Sequence, residues 1–566
     1  MNLLEASTGI PGLDRIINNL RIGDNVVWQV DDISIYRYLA GKFVENALKE
    51  KRNIVYIRFA SHEPLICEQP GIKVYNLSAE NGFESFSKRV HDIAACEGEG
   101  AFYIFDCLSE LLSAWASDLM TGNFFLITCP YLFELNTIAY FAILRNKHSF
   151  RTIARIRETT QLLLDVYDIK KRFYVHPLKV WNRYSPTMFL PHVQDKDKFI
   201  PITNSFDAAK LFSSVANTKF EDAERALDYW DRLFLETEQY KGGKETEGKK
   251  AAADKLSKIM IGKDQKMLLF AKQYFSLEDL LEIKSRLIGT GMIGGKTVGM
   301  LLARKILSKD TSADWRTELE PHDSFYIGAD VFYTYIVQNG WWKLFMEQKT
   351  EKGYFDSAKE LREKMLTGKF PMEIKEQFQQ MLEYFGQSPI IVRSSSLLED
   401  SFGNVFAGKY ESIFCVNQGT PEQRYKNFEE AVKRIFASTM SDEALSYRLE
   451  RGLDKHDEQM ALLVQRVSGS YKGPFFFPDL AGVGISFNTY VWDKSIDPAG
   501  GMMRLVFGLG TRAVNRVEDD YPRIVSLDQP MLVPHSDRDE AIEKSQHKLD
   551  LLDISSNDLE TVDLEK

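Results

Sequence analysis

Residues Pro389 to Cys415 read PIIVRSSSLLEDSFGNVFAGKYESIFC. The apolar run Ile390-Ile391-Val392 is long enough for one buried strand. Arg393 follows at once, then three serines and the acidic pair Glu399-Asp400. Gly403 and Gly408 interrupt the chain before a second expected strand, Tyr410 to Val416. An arginine at the end of a buried strand is held rigidly and can fork onto a phosphate. A glycine-bearing turn lets backbone N–H groups approach phosphate oxygens closely. The same residues equally describe a plain β-hairpin whose arginine pairs with Glu399 or Asp400. The stretch alone does not choose between the two.

Moving outward, other segments carry related signals. Ile293-Gly-Gly-Lys-Thr-Val-Gly-Met300 places Lys296 after two glycines at an expected helix start. A helix N-terminus with a lysine beside it suits a phosphate, although a solvated lysine at a turn fits the same residues. Ser324-Phe-Tyr-Ile-Gly-Ala-Asp330 reads as a strand, as do Leu462 to Val467 and Ala481 to Ser486. Phe507-Gly-Leu-Gly510 reads as a late turn. Val-Arg-Ser-Ser, the acidic pair and Phe-Ala-Gly-Lys-Tyr-Glu-Ser, with these segments in this order, resemble the nucleotide-binding domain of the phosphoenolpyruvate synthase and pyruvate phosphate dikinase family. The resemblance covers roughly residues 280 to 530.

That resemblance implies an ATP-grasp-type, two-lobed α+β fold using ATP and Mg²⁺, and a kinase-type phosphotransfer. It implies that Lys296 and Arg393 neutralise the triphosphate and carry the chemistry. It places Gly408 and Ser412 in a loop closing over the phosphates, and Gln465 against the adenine edge, where an amide both donates and accepts. It also pairs the Leu462–Val467 and Ala481–Ser486 strands. The sequence departs from the family in two ways. Glutamate usually follows Gly-Leu-Gly and helps hold Mg²⁺; here Thr511 does, and threonine cannot replace a carboxylate charge. Glu518, Asp519 or Asp520 are the alternative metal ligands, with Arg512, Arg516 and Arg523 adding positive charge, or these residues form surface ion pairs. The metal ligands thus stay unassigned. In addition, the family's acceptor histidine lies in a Gly-Gly-x-x-[Ser/Thr]-His context that none of the nine histidines shares, Ser61-His62 being the nearest. The acceptor is then expected on a longer polypeptide or on another protein. A nucleotide-sensing or scaffold module that binds ATP without catalysis is the alternative reading.

The first two hundred residues alternate strand and helix signals. Strands are expected at Asn25–Val30, Asn53–Phe59, Gly100–Asp106 and Asn123–Thr128, with a helix from Tyr36 to Glu50. Such alternation argues for an α/β domain with a largely parallel sheet. Ser7-Thr-Gly-Ile-Pro-Gly-Leu-Asp14 resembles the entry segment of RecA-like and KaiC-like ATPases. In those, the next strand runs into a phosphate-binding glycine loop with a lysine. Here it runs into Asp31-Asp-Ile-Ser-Ile-Tyr-Arg37, with no glycine, no lysine and two carboxylates. The domain is therefore expected to have lost nucleotide binding. Asp106 reads as a strand-end carboxylate at a helix start more readily than as a metal-holding aspartate.

The expected organisation is α/β throughout: a degenerate RecA-like domain over 1–204, a helix and polar linker over 205–254, the ATP-binding domain over 255–535, and an acidic tail or linker over 536–566. Phe220, Ala223, Leu227, Trp230 and Phe234 recur at helical spacing. KGGKETEGKK at 241–250 is the expected domain boundary. Trp341-Trp342 reads as core or interface.

Length and composition agree with a multi-domain globular chain. The 566 residues suit about three or four domains, and 44% are apolar and 27% charged. A net charge of −10 disfavours nucleic acid and anionic membranes as partners. The five cysteines are scattered with no C-x-x-C pair, as expected of free thiols in a reducing cytoplasm. The N-terminus lacks a signal-peptide pattern, and no apolar run approaches a membrane span. Because the glycine loop is missing, ATP titration of the full chain by calorimetry is expected to show a single class of site, unaffected by substitutions at Asp31 or Asp32. A second class of site, lost on those substitutions, would overturn this.

Overall fold

The computed structural model describes residues 5–169, 172–196, 198–216, 227–244, 246–262, 264–399, 409–514, 520–535 and 537–564. The N-terminal part is built on nine strands: β1 Asn25–Val30, β2 Ile54–Arg58, β3 Ile72–Asn76, β4 Phe102–Cys107, β5 Ile138–Leu144, β6 Leu162–Ile169, β7 Arg172–Val180, β8 His192–Asp195 and β9 Lys198–Pro201. Their order is β9-β8-β7-β6-β1-β5-β4-β2-β3. The pairs among β1 to β6 are parallel, while β6 to β9 form an antiparallel extension. The central strands read as nearly continuous apolar runs because both faces are covered by helices. Val26, Val27, Trp28 and Val30 are all fully buried.

The expected strand over Asn123–Thr128 is instead part of the Asp118–Glu134 helix. A short unbroken apolar run does not distinguish a buried strand from a buried helix. This helix is apolar nearly all round because it lies between the sheet and the Ala329–Gln338 helix, where Asn123 Nδ2 donates to Thr334 Oγ1 at 3.0 Å. The strand that fills the expected place is β5.

At the end of β1 the chain passes straight into the Ile33–Lys49 helix. Asp32 caps it by accepting from the Ser34 N–H, and Asp31 pairs with Arg145 at 2.6 Å. Arg145 also pairs with Asp165 at 2.5 Å and lies over the Tyr167 ring. A guanidinium and two carboxylates thus occupy the mouth of β1. Asp106 is fully buried and accepts from Tyr56 Oη and from the Phe59 and Ala60 N–H groups. It is a structural strand-end carboxylate.

The second part centres on five strands: β10 Leu287–Ile288, β11 Ser324–Ile327, β12 Ile390–Ser396, β13 Ser412–Cys415 and β14 Met460–Arg466, in the order β10-β11-β14-β12-β13. Beyond β14 lies a smaller lobe of two antiparallel sheets. One is β15 Ser470–Lys472, β16 Phe475–Phe477, β20 Lys548–Asp553 and β21 Asp558–Asp563; the other is β17 Ala481–Ile485, β18 Met502–Val506 and β19 Arg523–Ser526. The Leu462–Val467 and Ala481–Ser486 segments are therefore not paired. β14 lies between β11 and β12, and β17 pairs with β18. The acidic tail expected over 536–566 also gives way, because β20 and β21 pair across six residues each and Leu551 and Leu552 are buried. Leu549 through Leu552 are all buried, Asp550 among them, so β20 is an inner strand of this sheet and not a solvated tail.

Residues 241–250 cover the turn after the Tyr229–Glu238 helix and the start of the Glu247–Met260 helix. Trp230, Leu233 and Phe234 pack with Leu256 and Met260 in one cluster; Phe220 and Ala223 lie outside the described residues. No helix among the described residues is long and apolar enough to cross a membrane.

The two parts share one apolar core. Phe83 of the N-terminal part, itself edge-on to Trp115, meets Tyr333 and Trp342 in tilted and edge ring contacts. Trp342 is thereby core, 4% exposed. Beside these rings, Lys349 pairs with Glu84 at 2.7 Å, Tyr333 Oη donates to Glu84 at 3.1 Å, and the Glu458 N–H donates to it at 3.2 Å. Ser85 donates to Asp457 from its hydroxyl and its N–H. Burial, reinforced by the nearby Glu84 charge, pushes the Asp457 carboxyl up to about 7. An acid raised this way holds its proton in the folded chain but not in the unfolded one between about pH 4 and 7. Its contribution to stability therefore falls as pH rises through that window. Asp457→Asn is expected to flatten the pH dependence of the denaturation midpoint there. An unchanged slope would refute this assignment.

Candidate functional site

Strand register decides which side chains share a surface, because directly opposed residues and alternate residues lie on one face. Arg393 on β12 is opposite Ser412 on β13 and Leu463 on β14; Ile391 is opposite Gln465, which is opposite Ser324 on β11. Arg393, Ser412 and Gln465 therefore lie on the same face. Leu463 and Tyr326, also on that face, cluster with Val298, Leu301 and Leu302 of the Gly295–Lys309 helix. The helix covers this face, and Lys296 stands at its first turn.

The helix comes so close because of its two glycines. Gly294 has a φ of 79°, and a Cβ there would lie 1.4 Å from the Ser395 carbonyl oxygen. A Cβ on Gly295 would lie 2.2 Å from the Glu399 carbonyl oxygen. The backbones meet without side chains between them, and the Thr297 N–H donates to Ser395 Oγ at 3.1 Å, satisfying one free donor of the helix start.

Lys296 Nζ lies 2.7 Å from Glu399 Oε1 and 2.9 Å from Ser394 Oγ. Glu399 is 1% exposed and also accepts from Ser394 Oγ and the Ser396 N–H. Burial pushes its carboxyl above the ordinary range, partly offset by the Lys296 ammonium. Of the two cations, lysine rather than arginine holds the acidic pair's first member. Arg393 has its Nε buried without a hydrogen-bond partner among the described residues. Gln465 Nε2 contacts the Met300 sulfur at 3.1 Å and Ser324 Oγ at a long 3.4 Å. Arg393 and Gln465 thus share one face, which the helix covers at Leu463 and Tyr326, while Lys296 begins on that side and turns its ammonium towards Ser394 and Glu399. Gly408 and Asp400 lie outside the described residues.

The smaller lobe meets the same face. Leu509, in the Phe507–Gly510 turn, clusters with Ile391 and Phe414. Gly508 has a φ of 86°, and a Cβ there would strike Leu549, so that turn needs its glycine. Thr511 Oγ1 donates to Asp550 at 2.6 Å, and Arg512 Nε pairs with Asp550 at 2.9 Å while its Nη1 pairs with Asp520. Arg523 stands apart: it is exposed on β19 and lines a cavity of about 960 Å³ whose walls include none of Lys296, Arg393, Ser412 or Gln465. Arg516, Glu518 and Asp519 lie outside the described residues.

These contacts bear on the Mg²⁺ that the resemblance implies. Asp520 is held by Arg512 and by the His547 N–H, and Asp550 by Thr511, Arg512 and Thr561. No group of three or more histidine, cysteine, aspartate or glutamate side chains among the described residues is arranged to hold a metal ion. Of the alternative ligands only Asp520 lies among the described residues, and it already neutralises the Arg512 guanidinium, so Asp520 as placed does not fit a protein-held Mg²⁺. Two residues that matter were not singled out from sequence. Asp550 anchors Thr511 from thirty-nine positions away, and Glu458 accepts from Ser396 Oγ and Tyr410 Oη while pairing with Arg448. Nothing in local pattern marks either one.

The geometry places a glycine-opened helix, an arginine whose Nε has no hydrogen-bond partner among the described residues, and an amide on one sheet face. In comparison with known proteins, residues 290–563 match the pyruvate phosphate dikinase AMP/ATP-binding domain. Phosphoenolpyruvate synthase of Escherichia coli strain K12 is 32% identical over 146 residues, 25% of this chain and 16% of that protein. Rifampicin phosphotransferase of Bacillus cereus is 25% identical over 168 residues, 29% of this chain and 18% of that protein. Phosphoenolpyruvate synthase of Helicobacter pylori is 26% identical over 179 residues, 30% of this chain and 21% of that protein. The chain therefore spans about a fifth or less of the length of these relatives. The comparisons support an ATP-binding phosphotransfer module over this stretch, and the match runs through β20 and β21.

Gly294→Ala is expected to destabilise the folded chain by more than the roughly 1–3 kcal/mol of ordinary overpacking, because the obstacle is backbone. Denaturant unfolding measures this; a loss below about 1 kcal/mol would show that the helix start can move away from β12.

Proposed function

We propose that this chain binds ATP in the cleft between the β12–β14 face and the smaller lobe, as the nucleotide-handling part of a phosphoenolpyruvate synthase-like dikinase. The observation that carries the reading is Arg393: a rigid, weakly engaged guanidinium on the same face as Gln465, beneath the Gly508 turn, inside the stretch that matches an AMP/ATP-binding domain. An ATP-grasp-type, two-lobed arrangement agrees with a main sheet and a separate smaller lobe packed on one of its faces.

In this reading Arg393 forks across phosphate oxygens, and Gln465 meets the adenine edge by donating from its Nε2 amide hydrogens and accepting at its Oε1. Lys296 exchanges its Glu399 contact for a phosphate oxygen, or shares itself between them. Burial already favours the protonated form of Glu399, which lowers the cost of that exchange. Phosphoryl transfer of this kind rests on positioning and electrostatic stabilisation. The acceptor is a histidine domain on a longer polypeptide or on a second protein. Mg²⁺ would be carried by the nucleotide phosphates, since Asp520 and Asp550, the described carboxylates here, are engaged. The N-terminal sheet is read as a RecA-like body without its glycine loop; the parallel β1–β5 core and the Asp31–Arg145–Asp165 cluster at the mouth of β1 support that.

A nucleotide-sensing role without catalysis is the second reading. Thr511 favours it, because its hydroxyl is spent on Asp550 and supplies no charge. Radiolabelled ATP separates the two: consumption shows transfer, and retention without turnover shows sensing.

Arg393→Ala is expected to weaken ATP binding about ten- to a hundredfold, since a charge-assisted hydrogen bond is worth roughly 1.5–3 kcal/mol and about 1.4 kcal/mol is tenfold. Arg393→Lys restores only part, because lysine cannot fork. Lys296→Ala is expected to weaken binding comparably and also to lower stability, because Glu399 is left buried without its cation. Calorimetry on folded variants measures this; alanine variants that bind like the unmodified chain would make both residues structural.

A further inference from the structure

A second cavity lies between the two parts, away from the Arg393 face. Its volume is about 890 Å³, within the range of small-molecule sites, and it sits at a domain interface where such sites concentrate. Its walls come from the Asp118–Glu134 and Phe150–Thr159 helices on one side, and from the Tyr229–Glu238 helix and the Lys284–Thr290 segment on the other.

Most of the charges facing it are paired. Arg151 pairs with Glu373 at 3.3 Å, Lys284 with Asp231 at 3.1 Å, and Arg286 lies 3.6 Å from Asp323. Three are not. Arg155 has no ion-pair partner among the described residues and only a 3.5 Å contact to Asn123 Oδ1. Asp228 caps its helix through the Asp231 N–H and has no basic partner among the described residues. Asp118 is 1% exposed; its Oδ2 accepts from the Ser149 N–H, but its Oδ1 makes no hydrogen bond. That Oδ1 lies 3.7 Å from Nδ1 of His148, which burial and the Arg232 charge hold neutral by pushing it down to about 3, and Arg232, the nearby cation, only partly offsets the rise that burial gives Asp118. Trp230 Nε1, on the opposite wall, is likewise buried and unbonded. Buried polar atoms are rarely left without a partner, so several on one cavity call for an occupant.

Spacing defines that occupant. Arg155 Cδ lies against the position of Gly122, while Thr152 Oγ1 donates to the Asp118 carbonyl. Asp118 and Gly122 are one turn apart on their helix, as are Thr152 and Arg155 on theirs, so the backbone positions that carry the carboxylate and the cation are offset by about 5.4 Å of helix rise. We propose that this cavity binds a small zwitterion of the α-amino acid class, its carboxylate on Arg155 and its ammonium on Asp118 and Asp228. Occupancy bridges the two parts of the chain. A simple anion leaves the two aspartates uncompensated, and a simple cation leaves Arg155 so.

The test is thermal denaturation of the full chain, without nucleotide, in the presence of each common L-α-amino acid at millimolar concentration. At least one is expected to raise the melting temperature saturably by a few degrees. The matching 2-hydroxy acid, lacking the ammonium, and the methyl ester, lacking the carboxylate, are expected to have no effect. Arg155→Gln and Asp118→Asn should each abolish the shift while leaving ATP affinity unchanged. No stabilisation by any of the amino acids, stabilisation that survives Arg155→Gln, or an equal effect of the hydroxy acid would overturn the proposal. Should Asp118→Asn fail to fold, the half-buried Arg155 still decides it. Nucleotide is absent from the assay, so its outcome is independent of whether the Arg393 cleft binds ATP.

Discussion

The second half of the molecule depends on a contact between two bare stretches of backbone. Gly294 and Gly295 bring the start of a helix against the end of β12 with no side chain between them. That approach fixes Lys296 within reach of Glu399 and Ser394, sets Thr297 to donate to Ser395, and lays the helix across the face that bears Arg393 and Gln465. Any Cβ at these positions forces the helix outward. It would separate a lysine from a buried carboxylate whose only cation it is among the described residues. A buried charge left alone is far more costly than the pair is stabilising, so geometry and electrostatics depend on the same two glycines.

Lys296 and Arg393 illustrate two ways of holding a cation. Lysine is a compact charge on a flexible stem and here is neutralised locally, while arginine is a planar fork in the middle of β12, not at a strand end as expected, with its Nε unpartnered among the described residues. The buried Glu399 then acts as a competitor for the lysine, and the balance shifts when a stronger anion arrives. The same logic recurs at Arg512, whose charge is shared by Asp520 and Asp550. There the arginine is spent, and the carboxylates are spent with it.

Features written in consecutive residues were legible in the sequence. The strand before Arg393, the glycine-opened helix at Lys296, β1, β2 and β4, and the closed mouth of β1 all follow from local pattern. Features that depend on distant partners were not. Asn123–Thr128 has the composition of a buried strand and became a helix because a second helix, Ala329–Gln338, covers its outer side. The Glu399 contact could be anticipated as an ion pair but not its partner, since register and backbone approach chose lysine over arginine. Asp550 looked like part of an acidic tail; only its pairing with Thr511 and Arg512 gives it a role. Ala481–Ile485 had the right composition for the main sheet and joined another, because β11 already occupied that edge of β14.

The shared core has a consequence for how the chain is made. The Asp118–Glu134 helix leaves the ribosome long before the Ala329–Gln338 helix that covers it. The gap is roughly two hundred residues, about 10–40 s of synthesis at bacterial to eukaryotic rates. Throughout that interval Phe83, Trp115 and the buried Glu84 face solvent without Tyr333, Trp342 or Lys349. Translation speed and chaperone supply thus become conditions on the yield of this protein. The N-terminal part is retained as a half-built wall that its neighbour must complete.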